Sequence, residues 1–449
     1  MSFVLLLILL SGLWLGGGAS RADTSGQIIV RAASSILLIV ALLFGPRPDL
    51  HQARPVLVIL GAALLLALLQ LVPLPPAWWQ ALPGRSFFAE AATVSEQSQP
   101  WRPWSIVPGA TVNAAASLIV PFAVVLLVAS TTKAEREWLP GILLIFVGAT
   151  TFVGLLQFSG AGFSSPFVND TPGEVSGTFA NRNHFALLLA MGCLLAPVWA
   201  FLGGRRPHWR GPVAIGLVLL FLLTILASGS RAGLGFGAFG LVVGLLTVGK
   251  QIRRTLSGYP RWVFVAAIAG AIGLVAAFVL VSVIAGRAVS IDRVLSTDLG
   301  QDMRSRGLPT VLGMIATYFP VGSGLGGFDP IFRIHEPFAL LKPTYFNHAH
   351  NDWLEVVLDA GLPGLLLMLG TVAWWGASTL RAWRAGLGSD NVLPKLGSSL
   401  VLLVMGASIL DYPARTPTMM AVLAIAGLWL AEGSKSRSTS ALPEQDQHL

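Results

Sequence analysis

Charge is scarce in this chain. Asp, Glu, Lys and Arg make up 11% of its 449 residues, against roughly 25% in a soluble domain. So little charge excludes the two or three water-soluble domains that a chain of this length would otherwise form. Cysteine is scarcer still. The single Cys193 lies inside an apolar run, which excludes a disulfide framework and a cysteine-based metal site. The first residues, Met-Ser-Phe, carry no basic group of the kind that opens a secretion signal. Residues 1–18 therefore read as a first transmembrane helix, with a cleaved signal as the alternative. Internal repeats of the soluble-array type are missing as well.

What is present is apolar surface. Hydrophobic residues make up 54% of the chain and the mean hydropathy is +0.73. Apolar stretches of about 17–25 residues, long enough to cross a bilayer as helices, follow one another along the chain. They predict an all-α polytopic integral membrane protein. Its twelve expected transmembrane helices are 3–18, 27–44, 55–72, 112–130, 139–158, 184–203, 212–229, 232–249, 262–286, 362–380, 396–411 and 416–432. Residues 1–432 read as one transmembrane domain, and the Ser-rich 433–449 as a disordered cytoplasmic tail.

The net charge of +8 and pI near 10.2 do not indicate a nucleic-acid partner, because the basic residues are scattered through short loops. Arg47 and Arg54, Lys133 and Arg136, Arg205 and Arg206, Lys250 and Arg253, and Arg381 and Arg384 mark one side of the membrane. The positive-inside rule makes that side cytoplasmic, together with both termini. Two longer segments, 73–111 and a large loop 287–361 before the tenth span, then face outward. The first is rich in Pro and Trp, and reads as an interfacial loop or as a sugar-stacking surface through Trp101 and Trp104.

Titratable groups gather on this outer side. In Tyr345-Phe-Asn-His348-Ala-His350-Asn351-Asp352 they stand directly before an apolar helical run. Such a cluster at the mouth of a bundle costs solvation energy and is usually kept for chemistry. Asn351 or Asp352 can cap a helix that runs to about Ala360, is ended by Gly361 and restarts at Pro363. His350 would then stand at a helix N-terminus, suited to anions, and its imidazole could act as a base near neutral pH. A metal site built from His348, His350 and Asp352, with His335 as an additional candidate ligand, is the competing reading, although zinc-type spacing is missing. Arg231 follows a Ser228-Gly-Ser turn, either as an interfacial anchor or as a fork for phosphate oxygens. Arg182, Asn183 and His184 open the sixth span. Arg304 and Arg306 lie in the large loop and run against the topological bias. Pro320-Val-Gly-Ser-Gly-Leu-Gly-Gly-Phe328 has no strand–helix unit or P-loop lysine around it, and reads as a flexible turn over the site.

The His350-Asn351 pair followed by Gly361-Leu-Pro-Gly364, the Gly177-Thr-Phe-Ala-Asn-Arg-Asn-His-Phe-Ala run and the Ser-Arg turn resemble the O-antigen ligase and Wzy-type polymerase superfamily. The resemblance implies a bacterial inner-membrane glycosyltransferase with a periplasmic active site. Its donor would be an undecaprenyl-diphosphate-linked glycan and its acceptor lipid A–core or another glycan. It implies His350 as the catalytic residue, and Arg231 with Arg304 or Arg306 on the lipid diphosphate. It also implies metal-independent, inverting transfer with no cofactor. Arg182, His184, Asn351 and His348 join the candidate donor and glycan contacts. Ligase and polymerase are not separated by these residues, and protein O-glycosylation and transport are the further alternatives.

Overall fold

The computed structural model describes residues 1–161, 163–202, 207–257, 303–341, 346–385 and 392–432, with isolated positions between 260 and 280. Most of the expected 262–286 span, the 287–302 part of the large loop, Arg205, Arg206, Tyr345 and the 433–449 tail lie outside the described residues. The fold is mostly helical, at 73%. Without water to satisfy peptide groups, a chain this apolar must close its hydrogen bonds within helices.

Thirteen helices matter here: α1 Ser2–Gly16, α2 Ser25–Phe44, α3 Leu50–Leu69, α4 Pro108–Ala129, α5 Leu139–Ser159, α6 Arg182–Ala200, α7 Arg210–Ser228, α8 Arg231–Thr247, α9 Met303–Tyr318, α10 Phe328–His335, α11 Asp352–Arg384, α12 Val392–Ala407 and α13 Pro417–Glu432. Seven spans, through α2, α3, α4, α5, α6, α7 and α11, are long and apolar enough to cross a membrane. An eighth arises if α8 is joined to the Gly249–Thr255 segment across a 68° bend, and α1, α12 and α13 are shorter apolar helices. The expectation of twelve spans thus meets seven or eight full-length candidates and three shorter helices among the described residues.

The centre of the bundle is α6, whose spanning window is 89% buried against 22% for α2. It packs on α5, α7, α8 and α12, and the α12–α13 pair closes the other side. Close approach of α8 to α6 depends on a small-residue face: a Cβ added at Gly240 would stand 2.6 Å from the Ala190 carbonyl oxygen. Backbones can approach this tightly in membranes only where side chains are missing.

The two long connecting segments fold against each other. In 73–111, Pro73–Leu74 pairs antiparallel with Arg102–Pro103, and two short helices lie between them. A second core, separate from that of the bundle, joins Val311, Met314 and Tyr318 of α9 to Phe328 and Phe332 of α10, with Phe88 and Ile106 packed on it. Arg85 is fully buried in this cap and donates to the carbonyls of Trp104 at 2.9 Å and Gly322 at 3.1 Å. Burial lowers its pKa to about 10.

The glycine-rich 320–328 segment corrects the sequence expectation. It is held as a fixed joint rather than a flexible turn over the histidines. Ser323 N and Gly324 N donate to the Leu358 and Asp359 carbonyls, each at 2.9 Å. Leu325 N donates to Gln70 Oε1 at 2.8 Å, and Trp104 Nε1 donates to the Val321 carbonyl at 3.2 Å. The small residues allow contact between backbones, so every peptide group can find a partner.

Candidate active site

The first turn of α11 is built as its sequence dictates. The Asn351 side chain accepts from Leu354 N at 3.0 Å and caps the helix, and its amide donates to the Ile409 carbonyl at 3.0 Å. At Gly361 the helix breaks, with φ 57° and ψ −142°. A Cβ there would collide with the Pro320 carbonyl, which accepts from Leu362 N at 2.8 Å. The N-terminal piece thus stands as a short, rigid post that carries Asp352, Glu355 and Asp359 along one face.

All three carboxylates converge on Arg415, which lies in the connector between α12 and α13. Its guanidinium is 3.0 Å from Asp352 Oδ1, 3.2 Å from Glu355 Oε1 and 3.8 Å from Asp359 Oδ2. Burial works to lower the Arg415 pKa, but the surrounding carboxylates outweigh it and raise the pKa above the ordinary arginine value. Glu355 also accepts from Ala349 N at 2.8 Å and lies 2.9 Å from His348 Nδ1. The segment just before α11 is therefore tied down on its acidic side.

His350 points its chemistry elsewhere. Its φ of 50° is left-handed, a conformation uncommon outside glycine that persists only where surrounding contacts impose it. Nδ1 lies 3.0 Å from Asp411 Oδ1, and the ring sits between Phe346 at 5.1 Å and Tyr412 at 4.9 Å. Because a carboxylate only accepts, Nδ1 carries the hydrogen and Nε2 of neutral His350 is left with the lone pair.

Asp411 is the hub of the site. Its Oδ2 accepts from Arg304 at 3.0 Å, Asn181 at 3.1 Å and Asn183 at 2.9 Å. Its Oδ1 also accepts from Tyr412 N at 3.1 Å, and His184 Nε2 stands 3.7 Å away. Burial alone would raise its pKa. Contacts with His184 and His350 and the charge of Arg304 reverse that, and hold the carboxyl well below the ordinary aspartate range.

The predicted site residues therefore separate into groups. His350, His184 and Arg304 meet at Asp411. His348 joins the neighbouring Glu355–Arg415 network, and Asn351 serves as the helix cap. Arg182 pairs with Glu174 at 3.2 Å. Arg306 donates to the Ala339 carbonyl at 2.8 Å, so Arg304 rather than Arg306 enters the cluster. Arg231, exposed, is the first residue of α8. The preceding Ser230 caps that helix and donates to Asn183 Oδ1 at 2.9 Å, linking the Ser-Arg turn to Asp411 through one amide. A narrow recess, of about 20 Å³, opens beside the cluster, lined by Arg304, Asp411, His184 and the apolar Leu187, Phe236 and Leu410.

Among the described residues, no group of three or more His, Cys, Asp or Glu is arranged to hold a metal. His348, His350 and Asp352, the ligands of the competing metal reading, engage Glu355, Asp411 and Arg415 respectively.

Residues 215–369 match the O-antigen ligase family model. The match points to glycan transfer at a membrane in polysaccharide biosynthesis. Comparison with curated proteins finds no match. The matched segment runs from within α7 into α11, and so holds Arg231, Arg304, His348, His350 and Asn351. The residues that complete the cluster, His184 and Asp411, lie before and after it.

Asp411 and Arg415 were missed in the sequence. Asp411 falls at the end of the predicted 396–411 span, but α12 stops at Ala407, leaving Asp411 in a polar connector. The signal was Leu410-Asp-Tyr-Pro-Ala-Arg-Thr-Pro417: an acid and a base four residues apart in a stretch with two prolines, set between two apolar runs.

Proposed function

We propose that this protein is a glycosyltransferase that moves a glycan from an undecaprenyl-diphosphate donor to an acceptor at the outer face of a bacterial inner membrane, in the manner of an O-antigen ligase. The observation that carries the reading is the shared carboxylate: Asp411 holds His350 Nδ1 on one oxygen and Arg304 on the other, each at 3.0 Å. That pairing sets an oriented base beside a cation, the two groups a displacement of diphosphate needs.

In this reading the acceptor hydroxyl gives its proton to His350 Nε2 while its oxygen attacks the anomeric carbon of the lipid-linked sugar. The bond from that carbon to the diphosphate oxygen breaks, and the electron pair leaves with the diphosphate. A single in-line displacement inverts the anomeric centre. Arg304, with Arg231 at the start of α8, offsets the charge that develops on the leaving group. The apolar side chains of Phe236 and Leu410 beside the cluster suit the lipid end of the donor.

Lipid A–core is the acceptor of a ligase; a second lipid-linked repeat unit is the acceptor of a Wzy-type polymerase. Purified protein given undecaprenyl-diphosphate glycan and lipid A–core should join the two, and His350→Ala should not. Elongation of the donor without use of lipid A–core would make it a polymerase. No transfer to either acceptor would overturn the reading. Cysteines placed at Glu90 and His335 should react with an impermeant reagent from the periplasm; labelling only from the cytoplasm would put the cluster on the wrong side.

A further inference from the structure

A second recess, of about 150 Å³, shares His184 with the apolar one. Ser20, Asn169, Thr171, Asn181 and Asn347 contribute to its lining, and Tyr412 and His184 form part of its wall. Its cation, Arg21, is paired with Asp23.

His184 is 2% exposed, and neither ring nitrogen has a hydrogen-bond partner among the described residues. With Asp411 Oδ1 3.7 Å from Nε2, beyond hydrogen-bond length, the buried imidazole keeps a hydrogen-bonding group for a ligand. His184 lines both recesses. Tyr412 joins the polar recess to the catalytic pair, its ring centroid 5.0 Å from that of His184 and 4.9 Å from that of His350.

The chemistry of the lining selects its ligand. Amides and hydroxyls both donate and accept, as sugar hydroxyls do. A diphosphate would call for several cations, whereas Arg21 is the one arginine or lysine in this lining and Asp23 offsets its charge. We propose that this recess is a subsite for an uncharged sugar residue next to the bond being made, with His184 supplying a hydrogen bond to one of its hydroxyls. The proposal rests on the glycan-transfer reading above and names where the sugar sits.

The test begins with binding, which needs no turnover. Ligand-observed NMR on the purified protein should detect N-acetylglucosamine or glucose, and Asn169→Trp, which fills the exposed rim, should abolish the signal. Glucuronic acid serves as the charged control and undecaprenyl diphosphate as competitor. In the transfer assay, Asn169→Ala with Thr171→Ala should raise one KM about tenfold, the scale of two lost neutral hydrogen bonds, and leave kcat little changed. A rise in donor KM assigns the recess to the donor sugar; a rise in acceptor KM assigns it to the acceptor. Absence of a sugar signal in the wild type, or a signal that persists in Asn169→Trp, overturns the subsite and shows that water alone satisfies His184. Displacement of the sugar by undecaprenyl diphosphate would overturn it too, by making the recess a diphosphate site. A wild type that binds neutral sugar at this recess but transfers none would instead count against the glycan-transfer reading.

Discussion

His350 Nδ1 lies 3.0 Å from Asp411 Oδ1, across 61 residues of sequence. The contact fixes which imidazole nitrogen holds the hydrogen and where the other can act. In the proposed reaction Asp411 acts through His350, as a positioning residue. Asp411→Asn keeps the shape but can present its amide N–H to Nδ1 and stabilise the wrong tautomer. Transfer should fall about 10²-fold or more, within the usual range for lost acid–base catalysis, with normal protein abundance. Full activity in Asp411→Asn would show that the pair only holds the fold together.

The two neighbouring histidines should behave differently. His350→Ala should lose about 10²–10⁴ in rate while lipid-linked donor still binds. His348→Ala should lose less, because His348 lies against Glu355 rather than Asp411. Matched transfer assays decide this, and a larger defect in His348→Ala would move the chemistry to that residue.

Arg415 supports the site from behind. Removing it would leave Asp352, Glu355 and Asp359 close together without their cation, and breaking a buried ion network by loss of one partner costs about 3–5 kcal/mol. Arg415→Ala should therefore unfold at much lower temperature in detergent. Arg415→Lys should be intermediate, since an ammonium cannot hold Asp352 and Glu355 with a planar fork. Equal melting temperatures for all three proteins would show that water replaces the arginine.

Shape matters as well as charge at Arg231. Arg231→Lys keeps the cation but loses bidentate geometry, and should lower transfer clearly at unchanged membrane abundance. Wild-type rates in the lysine variant would leave Arg231 as an interfacial anchor.

The cap carries a pH-sensitive contact. Tyr318 Oη lies 3.0 Å from His335 Nε2, and burial lowers the His335 pKa below its ordinary 6.5. The folded state therefore holds the neutral ring more firmly than the unfolded chain does. That contribution is complete above about pH 6.5 and is lost as pH falls through the lowered folded value. Melting temperature should drop on acidification below pH 6.5, and the drop should be smaller in His335→Gln. Parallel curves for the two proteins would assign the pH dependence to other groups.

Much of the architecture was already written in the chain. Apolar runs of bilayer length mark the helices, because a peptide group in lipid has no partner outside its own helix. The cap at Asn351, the break at Gly361 and the helix opening at Arg231 were equally legible, since each depends on residues within a turn or two. So was the gathering of polar groups around the histidine pair. What the sequence alone did not determine was which histidine meets which carboxylate. Asp411 reads as the polar end of a span until the starts of α6 and α9 and the connectors before α11 and between α12 and α13 come together around it. Only there do Asn181, Asn183, Arg304 and His350 share its two oxygens. Tertiary structure decided the site because a hydrogen bond needs its partners within about 3 Å, and the spacing of these residues along the chain carries no trace of that distance.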